Sequence, residues 1–177
     1  MRELDHPESA MNAKVAAVAP LAAALLAAAG AGAAPNKGLA GCTITGTARS
    51  ETLLGTAGRD VICGLGGHDY IKGFGGNDRL LGGAGDDVIA GADGLDVILG
   101  EAGNDVLDGG DGADTVDGGI GSDRITGGLG RDIHRGGPGA DHLASRDGGP
   151  DTVDGGPGAD RARIDRPYDR LTNVEST

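Results

Sequence analysis

Aspartate recurs at every ninth residue over a long stretch of the chain: Asp60, Asp69, Asp78, Asp87, Asp96, Asp105, Asp114, Asp123, Asp132 and Asp141. Each stands at the sixth place of a nine-residue unit whose fourth place is always glycine, from Gly58 to Gly139. Asp151 and Asp160 resume the pattern after one residue is inserted at Ser145. Carboxylates present only oxygen, and glycine-rich turns let backbone carbonyls approach the same point. Such a donor set suits a hard divalent cation. Calcium accepts six to eight oxygens at about 2.3–2.6 Å in forgiving geometry, magnesium needs a smaller rigid octahedron, and zinc or copper wants nitrogen or sulfur. All twelve aspartates are therefore candidate calcium ligands. The charge agrees: the chain carries −12, residues beyond 33 carry −11, and these aspartates account for all of that acidity.

The elements that must position them follow from the same units. GTAGRDVIC, GLGGHDYIK, GFGGNDRLL and their successors divide into a six-residue turn and a three-residue strand, with Ile62, Ile71, Leu80, Ile89, Ile98, Leu107, Val116 and Ile125 at the eighth place. A chain that folds back within six residues needs positive φ, which glycine reaches without a Cβ clash. A three-residue strand turns one side chain inward and two outward. Two units then make one coil of eighteen residues. Coils stacked about 4.8 Å apart bring Asp60, Asp78, Asp96, Asp114 and Asp132 to one edge and Asp69, Asp87, Asp105, Asp123 and Asp141 to the other. Like charges at that spacing call for a cation between them. Pairing neighbours gives four sites per edge, or about eight to ten ions if the last units join. The expected fold is all-β, a right-handed parallel β-roll (β-solenoid) of stacked 18-residue coils with short N- and C-terminal caps. Few aromatics and high charge also mark disorder, but a disordered linker has no reason to place an aliphatic at every ninth residue.

The pattern GGxGxDxUx, with U apolar, resembles the secreted RTX, or haemolysin-type, calcium-binding repeats, over about two-thirds of the chain. The resemblance implies a calcium-loaded roll and an extracellular setting. The rest of the sequence is compatible. Val15 to Ala29 is an apolar run behind Lys14, followed by Ala31-Gly32-Ala33, so residues 1–33 read as a cleaved export signal, with Met11 as an alternative start. The run is short of a membrane span, so no stable membrane insertion is expected. Residues 34–54 form an N-terminal cap whose GTARSETLL is a degenerate unit with Glu51 in the aspartate's place. Residues 55–163 form the roll. Residues 164–177 form a closing cap, with Ile164, Tyr168, Leu171 and Val174 at near-helical spacing.

Cys42 and Cys63 are the only cysteines. Strict repeat register would separate them by roughly 10 Å, beyond the limit of about 7 Å for a disulfide. A bond therefore requires the cap to leave that register. Similar actinobacterial secreted repeat proteins often show CTI…VICG at their start, which favours the bond; two reduced thiols are the alternative. Leu65 and Phe74 replace the second glycine of their units, and His134 takes an eighth, inward place. His68, His134 and His142 share no face and read as surface or core histidines. No HExxH or GxSxG motif is present, so no catalysis is expected. The acidity disfavours nucleic acid. The function expected is a secreted calcium-binding repeat protein that folds on its ions. A calcium-bridged surface or matrix adhesion module, or a non-catalytic part of a secreted enzyme, is the alternative.

Overall fold

A computed structural model of the chain describes residues 41–145, 147–165 and 167–175. The expected export signal and the lead up to residue 40 lie outside the described residues. Within them the chain is entirely strand and turn. The strands are β1 (Ile44–Thr45), β2 (Thr52–Leu54), β3 (Val61–Gly66), β4 (Tyr70–Gly75), β5 (Arg79–Ala84), β6 (Val88–Asp93), β7 (Val97–Ala102) and β8 (Val106–Asp111). They continue as β9 (Thr115–Ile120), β10 (Arg124–Leu129), β11 (Ile133–Arg135), β12 (His142–Ser145), β13 (Thr152–Asp154), β14 (Arg161–Ile164) and β15 (Arg170–Thr172).

Odd-numbered strands stack in order as one eight-stranded sheet, and even-numbered strands form the facing seven-stranded sheet. Every pairing is parallel. The register is eighteen residues, as in Ile62↔Leu80, Leu80↔Ile98 and Ile98↔Val116. This is the β-solenoid that the nonapeptide period predicts. The eighth-place side chains close a narrow column between the sheets, with Ile62, Ile71, Leu80, Ile98, Val116 and Ile125 fully buried. With so few aromatics, this column and the backbone ladders hold the coils together.

Three local readings are revised. The regular strands are six residues long, because the ladder runs past the inward first-place glycine into the turn, pairing Leu65↔Gly83 and Gly66↔Ala84. The turns themselves are bonded between coils, as in Gly85 N–H to the Ala102 carbonyl at 2.8 Å. Second, Ser145 is not the extra residue. It stays in β12 opposite Ile164 and takes the inward seat of the first-place glycine. The insertion is absorbed in the following turn, after which partners lie nineteen apart, as in His134↔Val153.

Third, the tail does not follow its near-helical spacing. IDRPYDRLT is itself a nonapeptide, with Asp169 sixth and Leu171 eighth, and β15 pairs with β13 through Leu171↔Val153. At the other end GTARSETLL adds β2 to β4, as its length predicts.

The cap does leave the register where the cysteines require it. Ile44↔Ile62 and Thr45↔Cys63 are in step, but the regular ladder breaks just before them: Val61 N–H donates to Thr43 Oγ1 at 2.9 Å, where Arg79 N–H one coil on donates to the Asp60 carbonyl. Cys42 and Cys63 form a disulfide with their Cα atoms 6.1 Å apart. Leu65, Phe74, Ala92 and Glu101 occupy the second place at φ between 76° and 80°. Glycine fits that left-handed seat freely, and each L side chain there costs about 1–2 kcal/mol. Phe74 is half-exposed with the Lys72 ammonium 4.8 Å from its ring centroid.

The column is thin enough that one truncation should be felt along the stack. Ile98→Ala is expected to cost about 2–5 kcal/mol, read as a lowered urea midpoint in saturating calcium.

Candidate metal centres

Inward positions alternate through each unit: the sixth-place aspartate, the eighth-place aliphatic, then the first-place glycine. All twelve predicted aspartates are consequently buried, from Asp60 at 6% exposure to Asp141 and Asp160 at 0%. They lie in two continuous rows, because one carboxylate oxygen of each bonds to the neighbouring coil. Asp60 N–H donates to Asp78 Oδ1 at 2.8 Å, Asp78 N–H to Asp96 Oδ1 at 2.8 Å and Asp96 N–H to Asp114 Oδ1 at 2.8 Å. That row continues to Asp132, Asp151 and Asp169. The opposite row runs from Glu51 through Asp69, Asp87, Asp105, Asp123 and Asp141 to Asp160.

The second oxygen is left over. Oδ2 of Asp69, Asp78, Asp87, Asp96, Asp105, Asp114, Asp123, Asp132, Asp141 and Asp160 is buried without a hydrogen-bond partner. Each faces the space above a first-place glycine, and at every one but Gly127 it shares that space with a carbonyl oxygen from the next coil. A Cβ added to Gly82 would come within 2.9 Å of the Gly100 carbonyl and closer still to Asp87 Oδ2. A Cβ on Gly73 would meet the Gly91 carbonyl at 2.8 Å and Asp78 Oδ2. Buried oxygens that converge without a donor are costly, and a hard cation is the partner that satisfies them. Among the described residues no three His, Cys, Asp or Glu side chains gather at one point. Backbone carbonyls must therefore supply much of any shell, as glycine-rich turns allow.

A family model described as RTX calcium-binding nonapeptide repeat (4 copies) matches residues 45–73, 72–107, 99–133, 108–143 and 135–162. The chain belongs to this family. RTX nonapeptide repeats bind calcium, and their roll is a structural, typically non-catalytic fold. No curated protein matches the chain.

Two aspartates differ from their neighbours in this RTX roll. Asp60 Oδ2 accepts the Thr56 N–H at 2.6 Å and its hydroxyl at 2.9 Å. Asp151 Oδ2 takes a short hydrogen bond from the Ser145 hydroxyl. Sequence reasoning missed Asp169, which extends the row through the Asp151 N–H at 3.1 Å; the nine-residue spacing of IDRPYDRLT was the available signal. It also missed a ladder of fifth-place side chains. His68 N–H donates to Ser50 Oγ, Asp86 N–H to His68 Nδ1, Asn104 N–H to Asp86 Oδ1 and Ser122 N–H to Asn104 Oδ1, at 2.8–3.0 Å. Polar side chains every eighteenth residue were the signal there. Ser50, His68 and Asp86 have the residue types of a nucleophilic triad, but each uses its side chain on a backbone N–H. His68 Nδ1 accepts the Asp86 N–H at 2.8 Å, so that nitrogen is not turned to the Asp86 carboxylate.

Burial pushes nine of the row carboxyls up against the pull of the backbone N–H bonds, with neighbouring carboxylates adding to it. Asp105 rises to about 7, and Asp114, Asp123 and Asp132 to about 6. Asp69, Asp78, Asp87, Asp96 and Asp141 move the same way. By contrast the Asn104 N–H holds the exposed Asp86 carboxyl low. A carboxyl raised by folding favours the folded state while protonated. Its contribution is complete below the ordinary carboxyl range near 4 and is lost as pH rises through 6 to 7. Metal-free protein should therefore show more strand by circular dichroism at pH 4 than at pH 8, and calcium should abolish the difference by restoring strand at pH 8.

Proposed function

We propose that this RTX repeat protein is exported and folds outside the cell by binding several calcium ions between its stacked Gly/Asp turns. The observation that carries the reading is the set of ten buried carboxylate oxygens without hydrogen-bond partners, aligned in two rows beside backbone carbonyls. The ligands proposed are Asp60, Asp69, Asp78, Asp87, Asp96, Asp105, Asp114, Asp123, Asp132, Asp141, Asp151 and Asp160, holding up to about eight to ten ions. Residues 1–33 serve as the export signal, 34–54 as the N-terminal cap, 55–163 as the roll and 164–177 as its close. Where free calcium is scarce, repulsion and desolvation along the rows keep the chain open. At the millimolar calcium typical of extracellular modules, binding free energy becomes folding free energy.

A second reading, a calcium-bridged adhesion surface, draws support from the outer face of the even-numbered sheet. Tyr70, Val88 and Val106 stand in register on adjacent strands and are each about 42–43% exposed. Farther along the same row come Arg124, His142 and Arg161. Calcium-dependent retention on cell walls, lost in Tyr70→Ser with Val88→Ser, would establish that use. No helix among the described residues is long and apolar enough to cross a membrane.

Circular dichroism at pH 7.5 tests the main proposal. Strand signal should vanish in excess EGTA and return in millimolar calcium; a spectrum unchanged after exhaustive chelation sinks it. Calorimetry should further find at least one ion fewer in Asp105→Asn than in the parent protein.

A further inference from the structure

One coil is chemically unlike the rest. Above Gly64, Gly73, Gly82, Gly91, Gly100, Gly109, Gly118 and Gly136 the converging atoms are a carboxylate Oδ2 and a glycine carbonyl, both oxygen. Above Gly127 they are Asp132 Oδ2 and His134 Nε2. His134 occupies the inward eighth place between Val116 and Val153 and is fully buried, with neither ring nitrogen hydrogen-bonded. Asp132 is 1% exposed, and its Oδ2 is equally unpartnered. The opposite seat differs too: Ser145 replaces glycine, and its hydroxyl engages Asp151 Oδ2.

A buried imidazole with both nitrogens idle calls for an explanation, an unseen ion or water among them. An apolar residue would fill the column equally well, as Val116 and Val153 do on either side. Nitrogen beside carboxylate is the donor pair of a borderline transition ion rather than of calcium. We propose that Asp132 Oδ2 and His134 Nε2 together hold one divalent ion of the zinc, cobalt or nickel class inside the roll, in the place that calcium takes at the all-oxygen sites, so that at this one coil Asp132 serves that ion instead of calcium. Backbone oxygen or water completes the shell. Because the site is enclosed, the ion enters as the chain folds and is trapped between coils.

Cobalt(II) is the probe. The full chain is folded by adding calcium in the presence of cobalt, exchanged into cobalt-free calcium buffer, and examined for bound cobalt and its visible absorption. One retained cobalt per chain is expected, with a nitrogen-containing ligand-field spectrum, displaced when refolding is repeated with equimolar zinc. His134→Val should retain at least tenfold less cobalt while keeping calcium-induced strand signal. His68→Asn with His142→Asn should retain the full amount. Equal cobalt in His134→Val, no retained cobalt in the parent, or a spectrum of oxygen-only coordination would each overturn the proposal. Should His134→Val fail to fold, the parent's spectrum and retention decide. The calcium-induced strand signal, recorded on the same samples without cobalt, reports separately on the calcium reading.

Discussion

The roll depends on how closely its coils approach. With eighteen residues per coil and strands in direct register, first-place glycines lie against the carbonyl of the next coil with no room for a Cβ. The same contact drives the sixth-place carboxylate inward, because the chain alternates inward and outward at every second residue. Oxygen is thereby packed against oxygen along both edges. Half of each carboxylate is reconciled with this burial by a backbone N–H one coil away. In ten of the twelve the other half is not, and a proton or a cation can reconcile it; at Asp60 and Asp151 the Thr56 and Ser145 side chains do so instead.

That division explains why the carboxyls from Asp69 to Asp141 are shifted upwards even though each accepts a well-formed hydrogen bond. Desolvation acts on the whole group, whereas the N–H stabilises one oxygen. Proton and calcium are then rivals for the same Oδ2 atoms. A fold that keeps these groups buried is consequently sensitive to both, while its apolar column is too narrow to hold the coils together independently of their edges. The family's association with calcium and the chemistry of the orphaned oxygens point the same way from separate observations.

Departures from the repeat show which constraints are strict. The second place tolerates Leu65, Phe74, Ala92 and Glu101 at positive φ, because their side chains leave the coil and the penalty is local. The first place tolerates Ser145 only where the neighbouring turn has gained a residue, and there the hydroxyl supplies Asp151 with a hydrogen bond. His134 is accommodated over Gly127 because a first-place glycine leaves volume for the ring. The two ends differ again. The first coil is tied by Cys42 and Cys63 across a break in register, and the last is carried by Leu171 and Asp169 in a unit whose glycines have been lost.

The nine-residue period by itself determined the solenoid, the eighteen-residue register, the apolar column and the two rows in which the aspartates fall. These follow because a repeated local conformation, once wound, can only stack one way. What the period could not convey was the inside of the edges. That each aspartate is buried, that Oδ1 bonds to the backbone one coil back while Oδ2 does not, and that fifth-place side chains form a ladder of their own all depend on atoms brought together by winding. The tail was misread for the same reason: with its glycines gone, IDRPYDRLT carries too little local signal, and only pairing with β13 fixes it as a strand. Tertiary structure likewise decided the meeting of Cys42 with Cys63 and of His134 with Asp132, since both depend on where the chain leaves or fills the regular coil.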